Sequence, residues 1–284
     1  MIRNYLAYLV FFNLAILQAQ KQNVFQFDKD LILYLPLNGN LEDQSSLKNN
    51  TNSGGLVPEK DRFGIENGAF SFSKNGYLSV LNVNNFNGLK AFTLSGWVYL
   101  DNYREHNTII SKVSPNRDFN LQISNEGYLN FHYAYNYGYT HFYSKNKIPK
   151  NKWVYIAFAF DGKAFKMYIN GKPEKFIINQ AGKDITEKDL IINFLWTGEN
   201  LTIGNLYADG GENLFGKIDE IRIYKKGLSA SEIQQLYKEK DFAKESYSLG
   251  VFNDQKQGKE DQSPDEYNTM PAGAAKGPIF QRMD

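Results

Sequence analysis

Residues 216–237 read GKIDEIRIYKKGLSASEIQQLY, and their reading decides the fold. A short strand carrying one out-of-place acid runs into a turn and then a capped amphipathic helix. With unbroken strand alternation, Asp219 falls on the face of Ile221 and Ile223, while Ile218, Glu220, Arg222 and Tyr224 point the other way. An acid among isoleucines is costly without a partner, so a cation or a fixed set of donors is expected beside Asp219. In the helix, Ser229 caps while Glu232 reaches back, and Ile233, Leu236 and Tyr237 form the apolar stripe.

Upstream, turn signals divide the chain into short strands. Residues 31–37 form the first, ending at Asn38-Gly39-Asn40, and residues 66–72 and 77–80 flank Asn75-Gly76. Residues 92–100 and 153–160 are apolar on both faces and belong in the middle of a sheet. Further strands are expected at 108–112, 119–124 and 128–135, then at 164–170 and around 175–178. The stretch 180–200 is irregular, with room for a short helix, and residues 201–204 and 217–224 close the set. About a dozen short strands and one terminal helix point to an all-β protein, a sandwich of two packed antiparallel sheets. The 15% aromatic content, with Tyr 19 and Phe 21, agrees with that reading.

Lys+Arg 32 against Asp+Glu 31 leave a formal charge of +1, which offers nucleic acid no electrostatic attraction. Residues 1–19 have the layout of a secretory signal: Arg3 first, an apolar core over 5–17, and a cleavage point after Ala19. That run is short for a membrane span, so no span is expected after cleavage. The expected organisation is a signal peptide at 1–19, a lead-in at 20–29, the sandwich at 30–240 and a flexible polar tail at 241–284. Cysteine is absent, which excludes disulfides, thiol catalysis and Cys-based zinc sites.

The segments LYLPLNGNLEDQSS, FGIENGAFSFSKNGYLSV, FTLSGWVYL, KWVYIAFAFDGKAFKMYINGK and GKIDEIRIY occur in this order. Together the chain resembles the laminin-G-like, concanavalin A-like lectin/glucanase jelly-roll family, of the bacterial secreted type. The resemblance implies that first and last strands are neighbours and that calcium sits near their junction, with an Asp at the position of Asp219. Asn38, Gly39 and Asp43 supply an oxygen-rich opening loop facing that junction, so a structural Ca2+ held by Asn38, Gly39, Asp43 and Asp219 is one expectation. A hydrogen-bonded Asp that ties the ends together without metal is the other.

A second candidate is the aromatic run from Tyr128 to Tyr143, which also holds His132 and His141. In an extended segment Tyr133, Tyr135, Tyr137 and Tyr139 share one face, a flat surface suited to sugar rings or protein. The alternative is a hairpin whose tyrosines cover the core. Trp196 would add a second stacking surface, whereas Trp97 and Trp153 belong to central strands. Asn49 and Asn200 sit in glycosylation sequons.

Catalysis finds little support. Glycosidases of this jelly roll set acids two and four residues apart along one strand, and no such run occurs here. His106, His132 and His141 lack metal-ligand spacing. The expectation is a non-enzymatic, exported binding module, secreted, periplasmic or on the cell surface, for carbohydrate or adhesion. Its partner would be a glycan or an envelope protein. An accessory subunit of an envelope complex is the alternative, and a glycoside hydrolase the weakest reading.

Overall fold

The computed structural model describes residues 28–239, apart from 74–75, 82, 113–117, 136–137, 193–200 and 208–211. The expected signal and tail lie outside the described residues. Two antiparallel sheets face one another, and strands are numbered in chain order. The first sheet runs β13 (Lys172–Glu174), β12 (Phe165–Ile169), β11 (Trp153–Phe160), β6 (Phe92–Leu100), β17 (Gly216–Tyr224), β4 (Ala69–Ser71), β3 (Val57–Glu59). Strand β1 (Leu31–Leu35) also pairs with β17, Leu33 opposite Ile223 and Leu35 opposite Ile221, so the two ends of the sandwich are neighbours as expected. The second sheet runs β15 (Lys183–Ile185), β14 (Phe176–Gln180), β10 (Gly138–Lys147), β9 (Tyr128–Tyr135), β8 (Phe119–Ser124), β7 (His106–Lys112), β16 (Leu201–Ile203), β5 (Tyr77–Val80), β2 (Thr51–Gly54). Phe131 of β9 stacks on Phe158 of β11 at 4.1 Å and 18°, tying the sheets together through the core.

Strand β17 does not keep simple alternation. Its register against β6 shifts between Asp219 and Arg222, and Glu220 sits in the left-handed region at φ 58°. This is a β-bulge, one extra residue that re-phases the strand. Ile218, Ile221 and Ile223 therefore all reach the inter-sheet core, fully buried. Asp219 lies opposite Trp97 on the outward face, with Arg222 opposite Ser95 and Tyr224 opposite Thr93. The expectation that Asp219 shares a face with Ile221 and Ile223 is thus corrected, since the bulge flips the phase between them. Across the pair, Gly96 leaves room for the crowding: a Cβ there would meet Ile221 Cδ1 at 2.5 Å.

The outward face of this sheet is roofed by α1 (Ala230–Lys238), whose Ile233 and Leu236 pack on Tyr155, Tyr224 and Leu228. Both halves of the Ser229–Glu232 capping box form. Tyr237 stacks on Trp97 at 5.5 Å, so Trp97 belongs to this second cluster. Beneath the roof lie paired charges. Arg62 Nη1 donates to Asp219 Oδ2 at 2.5 Å, with the two side chains 7% and 1% exposed. Arg222 Nη2 is 2.8 Å from both Glu220 and Glu239, and its guanidinium lies 4.1 Å over the Tyr34 ring. Burial, with the charge of Glu220, pushes the Asp219 carboxyl above its usual range, while Arg62 pulls it down. A partner beside Asp219 was expected, and it is a side chain 157 residues away in the chain.

Such a pair contributes little over an apolar substitute but is costly to break. Arg62→Leu should destabilise the fold by roughly 3–5 kcal/mol, because it strands Asp219, and Arg62→Leu/Asp219→Leu should recover most of that loss. Urea unfolding of both variants checks this. A single-variant loss under about 1 kcal/mol, the range of a surface pair, contradicts it.

Candidate binding face

The tyrosine-rich run folds into the β9–β10 hairpin, with Tyr133 opposite Thr140 and Tyr139 opposite Ala134. The chain reversal places Tyr133 and Tyr139 on opposite faces, so the expected four-tyrosine surface does not form. Tyr133 is fully buried with Phe131 and Phe142, and its hydroxyl donates to the Ile191 carbonyl at 2.9 Å. Tyr139 is 39% exposed. Tyr135 ends β9, whereas Tyr137 and Trp196 lie outside the described residues.

The outward face of the second sheet carries a different set of side chains. Cross-strand register aligns Asn120, His132, His141, Asn179 and Asp184 in one row over β8, β9, β10, β14 and β15. A neighbouring row holds Gln122, Asn130, Tyr143 and Ile177. Adjacent rungs stand about 4.8 Å apart, the distance between paired strands. The inward positions of the same strands are Leu121, Leu129, Phe131, Tyr133 and Phe142, so the sheet is apolar on one face and imidazole, amide and phenol on the other.

These polar groups hold one another. Asn120 Nδ2 donates to Gln122 Oε1 at 3.1 Å, and His106 Nδ1 is 3.4 Å from the same oxygen. His141 Nδ1 lies 3.4 Å from Asn130 Nδ2 and 3.3 Å from the Tyr143 hydroxyl. The His141 and Tyr143 rings stack at 5.5 Å and 6°, and the His132 and His141 centroids are 4.9 Å apart. Burial lowers the His141 pKa. Burial, then Glu126, raises that of Tyr143. The buried amide oxygens of Asn120 and Asn130 have no hydrogen-bond partner among the described residues. A buried polar atom left so is the kind that water or ligand completes.

Two adjoining hollows lie on this face. One of about 700 Å³ is lined by Glu126, Tyr128, Tyr143, Lys145, Ile177 and Asp184 among others. A second of about 310 Å³ is lined by His106, Gln122, Asn130, His132, Tyr139 and His141 among others. Ser124, Asn125 and Tyr143 border both, so the two form one groove. Aromatic faces beside convergent polar groups are what a small-molecule or oligosaccharide site needs. Sequence reasoning noted His132, His141 and Tyr143 inside the aromatic run but assigned them no role. The alternation of Tyr128, Asn130 and His132 with Leu129, Phe131 and Tyr133 was the available signal.

The calcium expectation meets a different arrangement. Asp43 Oδ1 accepts from the backbone N–H groups of Tyr34 and Ser45, both at 2.9 Å. Its Oδ2 accepts from Ser45 Oγ at 2.8 Å and from the backbone and side-chain nitrogens of Asn49 at 2.7 Å. Five donors occupy this carboxylate. Asp219 is engaged by Arg62, while Asn38 and Gly39 lie exposed on the turn, where the Gly39 N–H donates to the Asn67 carbonyl. Calcium needs six to eight converging free oxygens, and this donor set does not fit it. Asn49 is buried with its amide nitrogen also given to the Ile32 carbonyl, which closes that sequon in the folded chain. Asn200 lies outside the described residues.

A family model described as the concanavalin A-like lectin/glucanases superfamily, Laminin_G_3, matches residues 72–234. Among solved structures, the binding domain of Paraclostridial Mosquitocidal Protein 1 is similar, with TM-score 0.57 and 15% identity, over 75% of this chain and 52% of that one. A botulinum neurotoxin type C structure, described by the dependence of cell entry on interaction with two ganglioside molecules, gives 0.55 and 22%, over 74% and 51%. Domain 4 of AbnA, an extracellular arabinanase from Geobacillus stearothermophilus, in complex with arabinotriose, gives 0.54 and 20%, over 74% and 98%. The chain spans about half the length of the toxin structures. It matches no curated protein. Among the described residues, no helix is long and apolar enough to cross a membrane.

The Asp43 cluster generates a direct check. Asp43→Ala leaves buried donors unpaired and should cost roughly 3 kcal/mol, while a chelator should leave the wild-type melting temperature unchanged. A melting temperature that falls on chelation and returns with added calcium contradicts this account of the junction.

Proposed function

Because the chain belongs to the concanavalin A-like lectin/glucanase superfamily, we propose that it is a non-enzymatic, extracytoplasmic module that binds glycan on the outward face of its second sheet. The observation that carries this reading is the groove itself, where Tyr143, His141, Asn130 and Gln122 combine ring faces with hydrogen-bonding groups. Sugars offer the complementary surface, C–H faces bordered by hydroxyls, and a rigid sheet holds the matching groups at fixed spacing. Support comes from the arabinotriose complex of one similar fold and the ganglioside interaction of another. The signal-like residues 1–19 support an exported location.

An immobilised-glycan array with the full chain tests the proposal. Tyr143→Ala and Asn130→Ala should each weaken retention about tenfold or more, a loss of about 1.4 kcal/mol. Tyr99→Ala, on the other sheet, should leave retention intact. Undiminished retention in both groove variants removes the assignment.

A further inference from the structure

His141 lines the smaller hollow of the groove. Its Nδ1 lies within reach of two groups that can donate, the Asn130 amide nitrogen and the Tyr143 hydroxyl. A neutral imidazole has one N–H and one acceptor nitrogen, and the hydrogen bond at one nitrogen sets the other. With Nδ1 accepting from both neighbours, the hydrogen resides on Nε2. We propose that His141 is a specificity-determining residue of the groove, fixed by Asn130 and Tyr143 as the Nε2–H tautomer so that it offers a ligand oxygen a donor. The inference rests on the glycan-binding reading of the groove and adds a chemical preference to it. The ligand must present a hydrogen-bond acceptor, such as a hydroxyl or ring oxygen, to this imidazole.

Acid should undo the arrangement. A proton on Nδ1 would confront the Asn130 amide nitrogen, which cannot accept it, so the Asn130 amide would have to turn its oxygen to the ring or the Tyr143 hydroxyl would have to change from donor to acceptor. Asn130 is 2% exposed, so this exchange of partners takes place inside packed structure. The groups facing His141 are His132 across β9, Tyr139 and Tyr143 on β10, and Asn179 across β14. Asp184 stands beyond on β15, and Glu126 and Lys145 line the groove. The His132 ring centroid lies 4.9 Å from that of His141. Burial already depresses the His141 pKa, so the unfolded chain binds this proton more readily than the folded one. Acidification through the histidine range therefore weakens both the fold and the groove.

Long-range nitrogen–proton NMR of the imidazoles in the full chain tests the assignment without any ligand. The wild-type protein should show His141 as the Nε2–H tautomer at neutral pH. Its titration midpoint should lie below the ordinary histidine value, with the Tyr143 ring signals shifting over the same range. Asn130→Asp should move the hydrogen to Nδ1 and raise the midpoint by about one unit or more. Tyr143→Phe keeps the ring, removes the hydroxyl donor, and should raise the midpoint in the same direction. An Nδ1–H tautomer in the wild type, or midpoints unmoved in both variants, overturns the proposal. A blank glycan array would remove the sugar reading of the groove, while the imidazole spectra would still decide the tautomer.

Discussion

Glu220, at a φ of 58°, absorbs one extra residue in β17 and so decides what each face of the first sheet presents. Before the bulge Ile218 is inward; after it Ile221 and Ile223 are inward too, and β17 lays three isoleucines against the core. Without it, half the strand would turn its isoleucines toward the helix and its charges into the core. Instead the charges collect under α1, where Arg62 pairs with Asp219 and Arg222 with both Glu220 and Glu239. The same strand takes β4 on one half and β1 on the other, so the position of the chain's first strand depends on this phase.

The second sheet divides its labour by face. Its inner side is locked by aromatic packing, with Phe131 touching Phe92, Phe119, Phe142 and Phe158. Its outer side borrows that rigidity for a polar lattice whose members hold one another in register. A site on paired strands keeps its geometry better than one on loops, which suits recognition of a ligand with many similar hydroxyls. The first sheet has no comparable open face over β17, because α1 covers it.

Much of the scaffold was legible in the sequence. The strands Phe92–Leu100, Phe119–Ser124, Tyr128–Tyr135 and Trp153–Phe160 match residue for residue, as their apolar patterns are long and bounded by Gly or Asn turns. The capping box was equally plain. Strands β2, β3, β13 and β15 were missed, each three or four residues long and held by backbone pairing rather than by an apolar pattern. For the tyrosine run the hairpin was one of two readings, and because tyrosines alternate from β9 on into β10 the pattern alone did not separate it from one extended strand. The bulge has no signature either, since Glu220 is neither Gly nor Asn. Arg62 was invisible as the partner of Asp219 for a simpler reason: pairing across 157 residues leaves no local trace.

Ligand recognition is proposed here for the outward face of β8, β9, β10 and β14. Backbone amide NMR of the protein titrated with arabinotriose and with a ganglioside oligosaccharide maps that face most directly. The account predicts shifts concentrated at Gln122, Asn130, His132, His141, Tyr143 and Asn179 with at least one of the sugars. Shifts confined to the first sheet around Tyr99 and Trp153, with this face silent, would contradict it.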